Sequence, residues 1–159
     1  MRRTSFADMQ CSVAQALEQI GEWWTLLIIR DALLGVRRFE HFQRRLGIAR
    51  NILSSRLDTL VDNGIMERRT YSERPERHEY VMTDKGKALW QVMTAIRQWG
   101  DDWALAPDDH PVVLIHDDCG NVARSVPHCS ECGEPLELQS IHMAPAPGTE
   151  DVGLIPHRH

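Results

Sequence analysis

His116, Cys119, Cys129 and Cys132 carry the most specific chemistry in the sequence. They fall in two blocks of one form, His116-Asp117-Asp118-Cys119-Gly120 and Cys129-Ser130-Glu131-Cys132-Gly133, with nine residues between Cys119 and Cys129. Each block reads ligand-x-x-cysteine-glycine. Zinc takes thiolate and imidazole ligands in a tetrahedron, and a glycine after the second ligand lets backbone amides turn toward the sulfurs. Four protein ligands leave no open position, so such an ion is structural rather than catalytic. His128, beside Cys129, is the alternative fourth ligand. Reduced thiols without metal are the plainer reading of the same residues. Cys11 stands apart at the start of a helix, where the dipole favours a thiolate; an inert thiol at an interface is its plainer reading.

A second set of residues has the chemistry of base recognition. Leu53, Leu57 and Leu60 fix the inward side of a helix over about 49–63, which turns Arg50, Asn51, Ser54, Ser55 and Asp58 outward. Arginine reads guanine with two hydrogen bonds, asparagine reads adenine likewise, and serine reaches bases or phosphates. Downstream, Arg68, Arg69, Arg74 and Arg77 can set cations over a DNA backbone or minor groove, although Glu73 and Glu76 interleave with them. An ordinary surface turn is the other reading of that stretch.

The elements that must position these residues can be read from periodicity. Val13, Ala14, Leu17 and Ile20 make one face of a helix over 12–20, which Gly21 ends. A second and more buried helix is expected over 23–34, with Trp24, Leu27, Ile28 and Leu34 inward and Gly35 as its stop. Phe39, Phe42 and Leu46 define a short helix from about Arg38, and Gly47 makes the turn into the 49–63 helix, which Asn63-Gly64 closes. The period then changes. Residues 65–71 and 78–82 suit two strands joined by Ser72-Glu73-Arg74-Pro75-Glu76-Arg77. Thr83 caps the last element, a long helix over 88–103 striped by Leu89, Val92, Met93, Ile96, Trp99 and Trp103, and Pro107 closes the domain.

Helix, helix, helix-turn-helix, hairpin, long helix is the layout of a winged helix-turn-helix. The fold class is therefore mainly α with a small β-hairpin (α+β), plus a small β-rich appendage like a zinc ribbon, flanked by strands at 112–115 and 136–138. The expected divisions are 1–104 for DNA binding and dimerisation, 110–143 for the ribbon-like extension and 144–159 for a flexible tail.

Charge agrees once it is divided along the chain. The net value is −5, but residues 105–159 hold two basic groups against nine acids. Between Arg37 and Arg77 ten arginines face six acids, including Arg38 at the start of the short helix. Such a zone can meet phosphates. Hydrophobic residues at 42% and charged residues at 26% fit a soluble globular protein. No apolar run approaches the ~20 residues of a membrane span, and Met1–Ser12 has no apolar segment behind its arginines, so the cytoplasm is the expected compartment.

Over residues 11–103 the chain resembles the HxlR branch of the MarR-like winged-helix regulators. The matching residues are Cys11, then IGEWWTLLIIRDALLGVRRFEHFQRRLGIARNILSSRLDTLVDNGIMERR, the YSERPERHEYVMTDKGKAL block, and Trp99-Gly100. The resemblance implies a bacterial transcriptional regulator acting as a homodimer on a palindromic operator of double-stranded DNA. The first and the long C-terminal helix would supply most of the subunit interface. It also implies an effector, either a small molecule or an oxidant acting on Cys11. Ser12 stands where the family has proline, and Ala49 where it commonly has serine.

The long helix itself points the same way. Its large apolar residues are too many for a three-helix core to cover, so the remainder would pack on a symmetry mate or fold back on the same domain. A protein-interaction module with a structural zinc ribbon is the competing function. Catalysis is not expected, because there is no open coordination site, nucleophile–base pair or glycine-rich phosphate loop.

Overall fold

The computed structural model describes residues 5–106 and 112–147. The chain divides into two compact units, 1–110 and 111–159. Pro107 and most of the tail expected at 144–159 lie outside the described residues.

In the first unit, α1 (Ser12–Ile20) and α2 (Trp23–Leu33) lead into α3 (Phe39–Leu46) and α4 (Arg50–Asp62). A hairpin of β1 (Met66–Glu73) and β2 (Glu76–Met82) comes next, then the short α5 (Asp84–Lys87) and α6 (Leu89–Trp103). Leu53, Leu57 and Leu60 of α4 are fully buried beside Phe42, Ile28 and Ile29, with Ile48, Ile65 and Met66 closing the core. Gly47 takes the left-handed conformation (φ +61°) that lets α3 end and α4 leave in a new direction within three residues. Thr83 caps α5: its Oγ1 accepts from the Gly86 amide at 3.1 Å and donates to the Gly64 carbonyl at 2.7 Å.

Two expectations for this unit need correction. The six residues 72–77 are mostly not a loop, because both strands extend into them and leave only Arg74-Pro75 at the tip. The register slips between Thr70 and Ser72, which sets Tyr71 in a bulge. On α2, Trp24 and Leu34 are exposed rather than core; Ile28, Ile29 and Ala32 take that role, with Leu27 half-buried. The long helix has no buried residue: Leu89 and Met93 lean on the core, while Val92, Ile96, Trp99 and Trp103 stay open.

Ala49 is the residue before α4, with extended backbone (φ −63°, ψ 140°) and no side chain to accept from the first-turn amides. Ala49→Ser supplies that acceptor, so the first unit should gain about 1 kcal/mol. All five tryptophans lie in this unit, and a raised urea midpoint by tryptophan fluorescence is the check.

The second unit is built on two hairpins. β3 (Leu114–His116) pairs antiparallel with β4 (Asn121–Ala123), and His128 bridges Pro135 around the next turn. Leu136–Leu138 is not the expected second strand. The Leu136 amide bonds back to the Pro127 carbonyl at 3.0 Å, and Leu138 opens a 3-10 turn to Ser140. None of the described residues of this unit is buried, and it contains no Phe, Tyr or Trp.

Candidate nucleic-acid interface

The α4 helix has one fully apolar side and one polar side because its leucines recur at four and three residues. Arg50, Asn51, Ser54 and Ser55 lie exposed on its N-terminal half. Arg50 has no ion pair among the described residues; its guanidinium instead sits 5.1 Å over the Phe39 ring from the start of α3. Arg56 differs. It is half-buried and pairs with Glu22 at 3.3 Å, which ties α4 to the start of α2.

Arg38 precedes α3, where its guanidinium lies 4.7 Å over Tyr71 in the β1 bulge. Its backbone bridges Glu79, and the Tyr80 amide donates to the Arg37 carbonyl at 2.8 Å. The hairpin is thus stitched to the helix-turn-helix as a third, short strand. At the tip, Ser72 Oγ donates to the Pro75 carbonyl at 2.9 Å, with Arg74 and Arg77 exposed on either side. Burial first, and Asp58 of α4 second, push the Tyr80 phenol up, so it remains a neutral hydroxyl beside Arg68. Arg69 pairs with Glu67 and has part of its charge answered within the chain.

The structure therefore places the expected residues at three positions. Arg50, Asn51, Ser54 and Ser55 share one helix face, Arg74 and Arg77 share the hairpin tip, and Arg38 stands at the hairpin's base. Sequence reading missed Phe39 and Tyr71, the aromatic shelves under Arg50 and Arg38. It also missed Asp31, a fully buried carboxylate on α2 that receives Arg30 Nη2 at 2.9 Å and Arg45 Nε at 3.1 Å.

A second surface is apolar. Val13 and Leu17 of α1 lie exposed on the same unit as Val92 and Ile96 of α6, and these four border a groove of about 370 Å³ with Ala16, Ile20 and Leu26. Trp99 and Trp103 extend the face, with 63% and 75% of their surface exposed.

In the second unit both blocks make one turn. The Gly120 amide donates to the His116 carbonyl at 2.8 Å, and the Gly133 amide to the Cys129 carbonyl at 2.9 Å. Both glycines are left-handed, at φ +68° and +78°, a conformation that suits residues without Cβ. Hydrogen bonds from the Cys132 and Glu131 backbone amides, and then from the Cys132 side chain, pull the Cys129 thiol below its usual range. His116 Nδ1 lies 3.4 Å from Cys119 Sγ, whereas His128 Nδ1 faces the Val126 carbonyl at 3.1 Å.

Comparison with known proteins decides the class of the first unit. The profile described as HxlR-like helix-turn-helix matches residues 19–108, more than half of the chain. The chain belongs to the HxlR-like helix-turn-helix family. Like other HxlR-like proteins it is a winged-helix, DNA-binding transcription regulator and not an enzyme. It is 45% identical over 137 residues to the HTH-type transcriptional regulator Rv3095 of Mycobacterium tuberculosis, covering 86% of this chain and 87% of the relative. The crystal structure of PA1607 is similar at a TM-score of 0.79 and 41% identity, over 89% of this chain and 99% of that one.

Matches of that length run beyond the HxlR-like unit into the second. The regulator YodB of Bacillus subtilis, in contrast, is 33% identical over 94 residues, 58% of this chain and 84% of its own. Cys11 of this HxlR-like chain is exposed and occupies the position before α1, where its carbonyl accepts from the Gln15 amide at 2.9 Å. Among the described residues no helix is long and apolar enough to cross a membrane.

Proposed function

We propose that this regulator binds a palindromic operator as a homodimer, with the helix over 49–63 in the major groove and the 72–78 wing on the flanking backbone. One observation carries the reading: Arg50, Asn51, Ser54 and Ser55 stand together on the leading half of α4 with no ion pair to another described residue, while its leucines are locked in the core. Arg50 on Phe39 is held at the helix start, which lowers the entropy lost when it meets a base. Asn51 is placed next to it for adenine, and the two serines suit phosphates or bases. Arg38, Arg74 and Arg77 are the cations of the wing side and set register rather than sequence.

Dimerisation rests on the open α1–α6 face, which joins exposed tryptophans to an apolar groove on a helix with no buried residue. Two copies related by a two-fold axis would set their recognition helices roughly 34 Å apart, one DNA turn. Oxidation of Cys11 is the effector event this geometry supports best, because the exposed thiol opens the helix that borders the groove. The structure of HypR, named a redox regulator, is similar at 29% identity and a TM-score of 0.54.

Selection from random duplex DNA, and then a salt series on the recovered site, tests the reading. A recovered inverted repeat, with affinity falling steeply as salt rises, is the expected result. Arg50→Ala and Asn51→Ala should each weaken that site by roughly ten- to a hundredfold and relax preference at one base position. Recovery of no sequence over background at low salt would leave the protein-interaction module as the better account.

A further inference from the structure

The second unit lacks what holds small domains together. None of its described residues is buried and it has no Phe, Tyr or Trp, yet it forms two hairpins with the same turn at each tip. Units of this size are held by disulfides or by a metal, and its cysteines are free thiols.

We propose that one thiophilic divalent cation of the zinc class is held by His116 Nδ1 and the sulfurs of Cys119, Cys129 and Cys132. Ligand spacing within the first tip supports this. Two ligands at zinc–nitrogen and zinc–sulfur bond lengths in a tetrahedron stand roughly 3.5 Å apart, and His116 Nδ1 is 3.4 Å from Cys119 Sγ. Asp118 Oδ2 lies 3.6 Å from His116 Nε2, so the carboxylate is on the far side of the ring from the nitrogen that faces Cys119. The second tip makes the same turn, its Gly133 amide on the Cys129 carbonyl at 2.9 Å, and so carries Cys129 and Cys132 as the first carries His116 and Cys119. His128 is excluded as the ligand through Nδ1, since that atom faces the Val126 carbonyl. Among the described residues no three histidine, cysteine, aspartate or glutamate side chains already converge. In this proposal the ion draws together two tips whose hairpins and turns are already formed. The site stands or falls independently of DNA binding by the first unit.

Cobalt titration of the reduced, chelator-treated full chain tests it, with Co²⁺ as the probe and Zn²⁺ as competitor. One equivalent of Co²⁺ should give the strong visible bands of a tetrahedral ion with thiolate charge transfer, and one equivalent of Zn²⁺ should abolish them. Cys119→Ser/Cys132→Ser should lose the spectrum, as should His116→Ala, while His128→Ala keeps it. Tryptophan fluorescence, which reports only the first unit, confirms that each variant is otherwise folded. Four thiols that stay reactive to a disulfide reagent in excess Zn²⁺, or a tetrahedral spectrum that survives in the double cysteine variant, overturns the site. Loss in His128→Ala with retention in His116→Ala overturns the ligand set.

Discussion

Ile96→Glu with Trp99→Glu should yield a folded monomer that no longer holds a two-fold operator. Both residues are exposed in the single chain, so the substitutions leave its own core intact. Their cost falls on the proposed subunit interface. Burying an isoleucine and a tryptophan is worth about 2 kcal/mol each, and a carboxylate facing apolar groups costs more unless paired. A loss of at least about 4 kcal/mol weakens dimerisation roughly a thousandfold, and operator affinity falls with it because each head then binds one half-site alone. Sedimentation velocity gives the subunit mass, and a full-site titration gives the affinity. A wild-type chain that sediments as a monomer, or a double variant that stays dimeric, would show that the α1–α6 face is not the interface.

Asp31→Ala should be the most destabilising single change in the first unit outside its apolar core. The carboxylate has no exposed surface and joins α2 to α3 through Arg45, with Arg30 on its other oxygen side. Breaking a buried pair costs ~3–5 kcal/mol because a charge is left without a partner. Here the partners are about half exposed, at 46% and 51%, and recover water, so the lower end of about 3 kcal/mol is expected. For a unit of this length that lowers Tm by about 15 °C. Differential scanning fluorimetry on tryptophan emission reads it directly. A fall of only a degree or two would mean that the α2–α3 junction is held by Phe42 and its apolar neighbours alone.

Helix α4 was legible because its signal is one-dimensional: three leucines at helical spacing fix an inward face, which leaves Arg50, Asn51, Ser54 and Ser55 on the outward one, although Arg56 at the edge is drawn in to Glu22. The stripe on α6 was equally plain. The exposure of Trp24 and Leu34 was not, because hydrophobicity reports that a residue avoids water and does not say which surface covers it. The hairpin came out longer than its sequence suggested. Ser72, Glu73, Glu76 and Arg77 are polar, but strand pairing uses backbone groups that every one of them carries. Phe39 beneath Arg50 and Tyr71 beneath Arg38 were hidden for another reason: the second contact spans more than thirty residues, and no local pattern encodes it. Asp31 was invisible in the same way, since a lone acid in a helix ordinarily faces solvent. In the second unit, the paired ligand-x-x-cysteine-glycine blocks gave the turns, while Leu136–Leu138 looked like a strand but makes one backbone bond to Pro127 and then turns into a 3-10 helix.

The stitch from Arg37 and Arg38 to Tyr80 and Glu79 has a consequence for control. It welds the hairpin to the start of α3, so helix and wing travel as one solid jaw. In the proposed dimer, two such jaws on a common pivot would behave as calipers. A signal at that pivot would change the gauge between them without blunting either point. Such a regulator would be switched off by losing its fit to the span of the operator, while each jaw still prefers the same few bases.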